Sequence, residues 1–179
     1  VGGTALALQK GHRFSVDLDL FTPNSFENEQ LIEKLKETFD SFILKSEGKQ
    51  LIFAEIDNVK VDFVKMNYPN LYDYTLNDNI RILHVNDIAP MKLKAIVQRG
   101  SKKDFFDIYY ILQEMSLNTL IELYKKKFNQ NEIFHVLKSL NYFEDAENDF
   151  NPVVFDSNIN WDKIKEFLQF ELFKFTTNT

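Results

Sequence analysis

The sequence predicts an α+β fold: a small mixed β-sheet core with flanking helices, followed by a C-terminal helical region. Two observations carry that expectation. In FSVDLDLF and LIFAEIDNVKVDFVKM, apolar and polar residues alternate with the period of strands. After Asp87 the apolar residues recur with helical spacing and continue so to the C-terminus. Strands first and helices afterwards mean a small sheet followed by a helical region, with the boundary drawn between a core over residues 1–87 and a helical region over 88–179. At 179 residues and 44% hydrophobic, the chain can bury a core of this size.

The elements follow in order. Thr4 is placed to cap a short helix over residues 5–10, which Gly11 ends. In the strand that follows, Phe14, Val16, Leu18 and Leu20 point one way, and Ser15, Asp17, Asp19 and Phe21 the other. A helix is expected over 29–39. A hairpin turns at Asp57-Asn58, a variant of the Asx-Gly turn. If Ile56 pairs with Val59, one face carries Ile52, Ala54, Ile56, Val59, Val61 and Phe63. The other carries Phe53, Glu55, Lys60, Asp62 and Val64. Residues 81–85 add a short strand, and helices are expected at 88–99, 101–113, 117–127, 132–140 and 161–173. The acidic stretch 144–149 reads as a loop.

Composition narrows the function. A net charge of -6 argues against a protein that grips nucleic acid chiefly through a basic surface, yet leaves room for a nucleic-acid end held locally. With no cysteine there is no disulfide framework, thiolate chemistry or cysteine zinc site. No apolar run approaches the ~20 residues of a membrane helix, so no membrane partner is expected. The chain opens on Val1 rather than methionine, which reads as a loss of upstream residues. A cytoplasmic location is expected.

The candidate chemistry begins with Asp17-x-Asp19. Two carboxylates on one strand face stand about 6.5–7 Å apart along the backbone, close enough to converge on one or two divalent cations. Like charges so placed repel and resist burial, so they call for a compensating cation or a functional reason. Asp62, on the less apolar face of a second strand, is the candidate third carboxylate. Gly2-Gly3-Thr4 precedes a helix whose N-terminal N–H groups suit phosphate, and glycine permits close backbone approach. Separately, these features read as solvated positions and an ordinary turn. Together they make a phosphate cradle beside a metal-holding cluster.

The spacing G-[ST], twelve residues, then D-x-D resembles the signature of the nucleotidyltransferase superfamily related to DNA polymerase β. The fuller wording GGTALALQKGHRFSVDLDLF is similar to the AbiEii-type subgroup, the toxin-like nucleotidyltransferases of type IV toxin–antitoxin systems, and so is DIAPMKLKAIVQRGSKKDFFDIYYIL. The resemblance implies that Asp17 and Asp19 hold magnesium against the nucleotide phosphates. It further implies that Asp62 helps to activate the acceptor hydroxyl and that Gly3 and Thr4 cradle the triphosphate. Mg2+, with Mn2+ as the alternative, is the implied cofactor, and a cognate antitoxin the implied partner.

In the second block, at about 100° per residue, Lys92 and Arg99 fall in the inward arc with Ile88, Met91, Ala95 and Ile96, while Lys94 points away. An inward cation needs a partner, and a bound triphosphate would serve; snorkelling to the surface is the alternative. Family wording of the form K-L-x-A favours Lys92, as a catalytic and nucleotide-binding residue. Asp104 shares a face with Ile108, Ile111 and Leu112 and is taken as nucleotide-binding, against the alternative that Ser101-x-x-Asp104 is a capping box. Asp107 is one turn on and less inward. His12 and Arg13 belong to the first block without a chemistry of their own, although Arg13 could reach a phosphate or an acidic neighbour. His84 and His135 read as structural, and Lys125, Lys126 and Lys127 as a solvated helix face. Trp161 and the Phe-rich last helix suggest core or a partner surface.

The function expected is a magnesium-dependent nucleotidyltransferase that transfers a nucleoside monophosphate from an NTP to a hydroxyl of a tRNA 3′ end, a protein or a small molecule. A rival of another class is a non-catalytic nucleotide- or partner-binding domain of the same fold. A haloacid-dehalogenase-type phosphatase would need D-x-D-x-[TV], but Phe21 occupies that last position and Thr22 comes one residue late. Metal-dependent glycosyltransferases use D-x-D without need of the glycine turn.

Overall fold

Helix α1 (Gly2–Lys10) leads into strand β1 (Leu18–Thr22), helix α2 (Asn28–Thr38), and strands β2 (Ile43–Gly48), β3 (Leu51–Ile56) and β4 (Val59–Lys65). A small hairpin of β5 (Thr75–Asn77) and β6 (Ile80–Ile82) precedes the helices. These are α3 (Val85–Arg99), α4 (Lys102–Leu112), α5 (Leu117–Phe128), α6 (Phe134–Leu140), α7 (Glu144–Glu147) and α8 (Trp161–Thr177). The structure, a computed structural model, describes residues 1–177. The chain forms two compact units. One holds Val1–Thr4 and Ser15–Pro69, the other Ala5–Phe14 and the chain from Asn70 onward.

The first unit is a four-stranded mixed sheet of order β1-β4-β3-β2. The hairpin turns where the pattern places it: Ile56 pairs with Val59, and Asp57 and Asn58 take left-handed φ values of 52° and 64°. Asx side chains tolerate that region, which the tight turn between twisted strands requires. Ile52 and Ala54 then share a core with Ile32 of α2, flanked by Phe26, Leu31, Phe42 and Phe63. Strand β2, with all six residues exposed, lacks the alternation that would announce it; its ladder to β3 creates it.

The first predicted strand is shorter than expected and its faces are reversed in burial. Only Leu18–Thr22 pairs in the sheet. Leu18 and Leu20 are 42% and 48% exposed, and Phe14 and Val16 are more exposed still. β1 is an edge strand, and the apolar core beneath α2 is centred on β3, so the apolar face of β1 lacks a full cover. Residues 12–14 pair instead within the second unit: Phe14 N–H donates to Val153 O, Phe155 N–H donates to His12 O, and the Phe14 and Phe155 rings meet edge to face.

In the second unit the helical periodicity is realised as read, with a core that includes Leu93, Phe105, Phe106, Ile108, Leu120 and Ile121. Trp161 packs against Phe105, Phe106 and Phe143 as a core residue. Residues 70–87 group with these helices rather than with the sheet. Asp87, fully buried, accepts from Leu71 N–H and Tyr72 N–H and pairs with Lys127 at 2.6 Å, while Gln9 donates to Leu83 O. Three local expectations change. Lys127 is buried on Asp87, not solvated. The stretch at 144–147 is a short helix. The strand expected at 81–85 is β6, paired with a β5 too short and exposed to carry a pattern. No helix among the described residues is long and apolar enough to cross a membrane.

Candidate functional site

In the first unit, β1 runs parallel to β4 in a register that sets Asp19 directly opposite Asp62. Opposed residues on neighbouring strands share a face about 4.7–4.9 Å apart, so the two carboxylates face one region. Phe53 of β3 is the next residue across, and Lys60 lies two positions before Asp62 on the same face. Asp17 precedes β1. Its backbone carbonyl accepts from the Thr4 hydroxyl, which also reaches Ser15 Oγ at 2.9 Å. Thr4 is therefore not the cap expected of it: α1 begins at Gly2, and the hydroxyl ties the first helical turn to the segment carrying Asp17. Gly11, with φ 58° and its N–H on Ala7 O, does end the helix.

Gly2 meets the carboxylate pair most closely. Its φ is 71°, and a Cβ built there would lie 1.8 Å from Asp19 Oδ2. Only glycine allows the backbone to approach that carboxylate so nearly. Asp62 is 7% exposed, and its two oxygens differ. Oδ2 pairs with Lys60 Nζ at 3.0 Å, whereas Oδ1 is enclosed and has no hydrogen-bond partner. An orphaned buried carboxylate oxygen costs free energy unless something else satisfies it. An oxygen-seeking divalent cation would, so the donor chemistry of Asp19 and Asp62 fits such an ion. Among the described residues, no group of three or more His, Asp or Glu side chains is gathered as a ready-made cation cage.

The remaining predicted residues belong to the second unit, where they form a buried ion network. Lys92 is buried and pairs with Asp104 Oδ1 at 3.0 Å and Asp107 Oδ2 at 2.6 Å. Arg99, expected inward, is instead exposed and reaches back over the end of α3 to donate to Asp104 through Nε (2.8 Å) and Nη2 (3.1 Å). Asp107 also accepts from His12 Nε2 (2.8 Å) and from Arg13 through Nε (2.7 Å) and Nη2 (3.0 Å). The partner that an inward Lys92 requires is thus a pair of carboxylates on α4. Burial disfavours the charged ammonium, yet Asp107 and Asp104 prevail and raise its pKa above the ordinary value. Burial likewise pushes the Asp107 carboxyl up, but Lys92, His12 and Arg13 hold it well below the usual carboxylate range. Lys94 sits apart, 4.4 Å from the centre of the Phe128 ring.

Two expectations about α4 are corrected. Asp107 is fully buried, not less inward than Asp104. Asp104 is not half of a capping box: Ser101 makes no side-chain cap bond, and Asp149 instead accepts from Lys102 N–H and Ser101 Oγ. The acid at the third helical position is free of the cap because an acid from 45 residues onward supplies it. His84 caps α3 through Asn86 N–H and stacks on Tyr72, a structural role as read. Sequence reasoning gave no separate role to Gly2 or Lys60, whereas Arg13 does reach an acidic neighbour, Asp107. The glycine doublet signalled the first. Alternation had already placed Lys60 on the face of Asp62.

A carboxylate pair on adjacent parallel strands, beside a glycine-opened helix, is an arrangement suited to phosphate chemistry. The model of the family described as nucleotidyl transferase AbiEii toxin, type IV TA system, matches residues 1–82 and 55–175. An uncharacterized protein of Aquifex aeolicus (strain VF5) is 35% identical over 186 aligned positions, covering 99% of this chain and 87% of that protein. This chain belongs to the AbiEii nucleotidyltransferase toxin family. Its fold is shared with two crystal structures from Helicobacter pylori. One, a candidate nucleotidyltransferase, has a TM-score of 0.59 at 17% identity, covering 99% of this chain and 87% of that one. The other, JHP933, has a TM-score of 0.54 at 16% identity, covering 99% and 84%.

Proposed function

We propose that the protein is a magnesium-dependent nucleotidyltransferase that moves a nucleoside monophosphate from an NTP to a hydroxyl acceptor, as the toxin of a toxin–antitoxin pair. The observation that carries this reading is the in-register pair Asp19–Asp62, with one Asp62 oxygen buried and unpartnered. Asp17, Asp19 and Asp62 are the residues that would hold Mg2+, or Mn2+ in its place. That ion, when bound, supplies charge neutralisation at the phosphates.

Gly3 and Thr4, in the first turn of α1, would cradle the triphosphate, since the N–H groups of a helix N-terminus favour an anion. Gly2 leaves room for Asp19 beside that turn. Asp62 would accept the proton of the attacking hydroxyl. The acceptor oxygen bonds to the α-phosphorus, the bond to the β-phosphate oxygen breaks, and pyrophosphate leaves. With little covalent chemistry asked of the protein, rate comes from positioning and electrostatics. Lys92 and Asp104 enter as nucleotide-binding residues by resemblance of their block to the family. Their mutual pairing means that Lys92 would act on phosphate as the centre of a fixed charge network, not as a mobile side chain. The tRNA 3′ end, a protein hydroxyl and a small molecule are the candidate acceptors, and the cytoplasm the expected compartment.

Incubation with each labelled NTP, magnesium and total cellular RNA or protein tests the reading. Label entering one macromolecular fraction, dependent on magnesium and lost in Asp19→Asn, supports it. Nucleotide binding without transfer to any fraction would favour the non-catalytic reading instead.

A further inference from the structure

Lys60 is a charged residue that the proposed chemistry leaves unused, and it touches the centre of it. Its Nζ lies 3.0 Å from Asp62 Oδ2, from a position two residues earlier on the same strand face. The partners differ in accessibility: the Lys60 side chain is 56% exposed and that of Asp62 only 11%. The carboxylate is therefore fixed in the sheet, while the ammonium approaches it from the solvent side on a flexible stem. The ring of Phe53, the residue paired with Asp62 across the sheet, lies 5.8 Å from Lys60 Nζ and offers that cation a second resting place. Meanwhile Asp62 Oδ1, turned inward, has no partner.

We propose that Lys60 is a built-in counter-cation of the carboxylate site, which a divalent cation must displace from Asp62. The inference rests on the reading of Asp62 as a cation-holding residue. In the ion-free protein the ammonium offsets part of the repulsion between Asp19 and Asp62, which share one face in register. When a divalent cation arrives, a second positive charge within about 3 Å of the same carboxylate is strongly repelled, and the exposed stem lets Lys60 withdraw to Phe53 or to water. Occupancy by the metal and contact between Lys60 and Asp62 then oppose each other. The chain consequently holds its metal less tightly than the carboxylates alone would.

The test is a titration of the full chain with Mn2+ and no nucleotide, following free Mn2+ by electron paramagnetic resonance, with Mg2+ as competitor. Lys60→Met, which keeps the stem and removes the charge, is expected to bind Mn2+ roughly two- to fivefold more tightly, the scale of a solvent-exposed ion pair. Lys60→Arg, which keeps the charge, is expected to retain the affinity of the unaltered chain. The gain in the Met variant should shrink as salt rises, because the competition it removes is itself screened. An affinity in Lys60→Met equal to or weaker than that of the unaltered chain overturns the inference, since the ion would then bind without displacing Lys60. Asp62→Asn separates the two levels of failure. If it abolishes Mn2+ binding while Lys60→Met changes nothing, only the counter-cation falls. If the unaltered chain binds no Mn2+ at all, the cation-holding role of Asp62 falls with it.

Discussion

Asp107 in the helical unit and Asp62 in the sheet unit are both buried acids, but their surroundings differ. Both oxygens of Asp107 are engaged, by His12, Arg13 and Lys92. Asp62 has one oxygen on an exposed lysine and the other on nothing. Four donors on its two oxygens leave the Asp107 carboxylate nothing to offer a ligand, so that acid specifies structure. A carboxylate left half-satisfied, opposite a second carboxylate and beside a glycine that no side chain could replace, is poised for something not yet bound. The difference separates holding charges from working charges, and it is open to experiment.

The largest effect should come from breaking the satisfied network. Asp107→Ala strands Lys92, Arg13 and His12 without their common acceptor, and a loss of about 3–5 kcal/mol is expected in urea unfolding. The same network gives the helical unit a pH signature. Because the folded Asp107 carboxyl lies below its ordinary value of 3.8, its contribution is present above that pH and fades as pH falls through the folded value. Lys92, raised above 10.5, contributes fully below that pH and is lost as pH climbs through its folded value. The acid-side loss should vanish from the stability–pH profile of Asp107→Ala and the alkaline one shrink, since Asp104 still faces Lys92; an unaltered profile would show that the network does not hold the fold.

Gly2→Ala tests the crowded side of the carboxylate pair. A Cβ at 1.8 Å from Asp19 Oδ2 has no room, and φ 71° disfavours it further. A cost of about 1–3 kcal/mol is expected, together with weaker Mn2+ binding as Asp19 is pushed aside. Stability and affinity unchanged in this variant would show that the glycine is not required.

Asp62→Asn should behave oppositely to Asp107→Ala. Removing one of two facing negative charges relieves repulsion, so thermal melts without metal should show stability unchanged or higher, within about 1 kcal/mol, while transfer is abolished. Clear destabilisation would move Asp62 into the structural class. The smallest effect is expected of Lys94→Ala, which loses its contact with the Phe128 ring at a cost of about 0.5–1 kcal/mol. NTP affinity should be untouched, since the helical wheel turns Lys94 away from Lys92; a loss of affinity equal to that of a Lys92 variant would mean a diffuse charge effect.

Local pattern by itself determined much of this protein. The Asp57-Asn58 turn, the faces of β3 and β4, the spans of α2, α3, α4 and α5 and the stop at Gly11 all depend on residues within a few positions of one another. Alternation placed Asp19 and Asp62 on like faces of their strands, and the G-T/D-x-D wording named the family to which the chain belongs. Tertiary structure alone decided the rest. Lys127 lies on a face that looks solvated until Asp87, 40 residues away, is brought beneath it. Asp149 takes the cap from Asp104 across 45 residues, freeing that acid for Lys92. His12 has no legible role, and the acidic neighbour open to Arg13 no identity, until Asp107 arrives from more than 90 residues downstream. Burial of an ion pair demands a partner at a few ångströms, whereas a sequence window records only neighbours along the chain. Periodicity shows which way a side chain points, and only the folded chain supplies what it meets there.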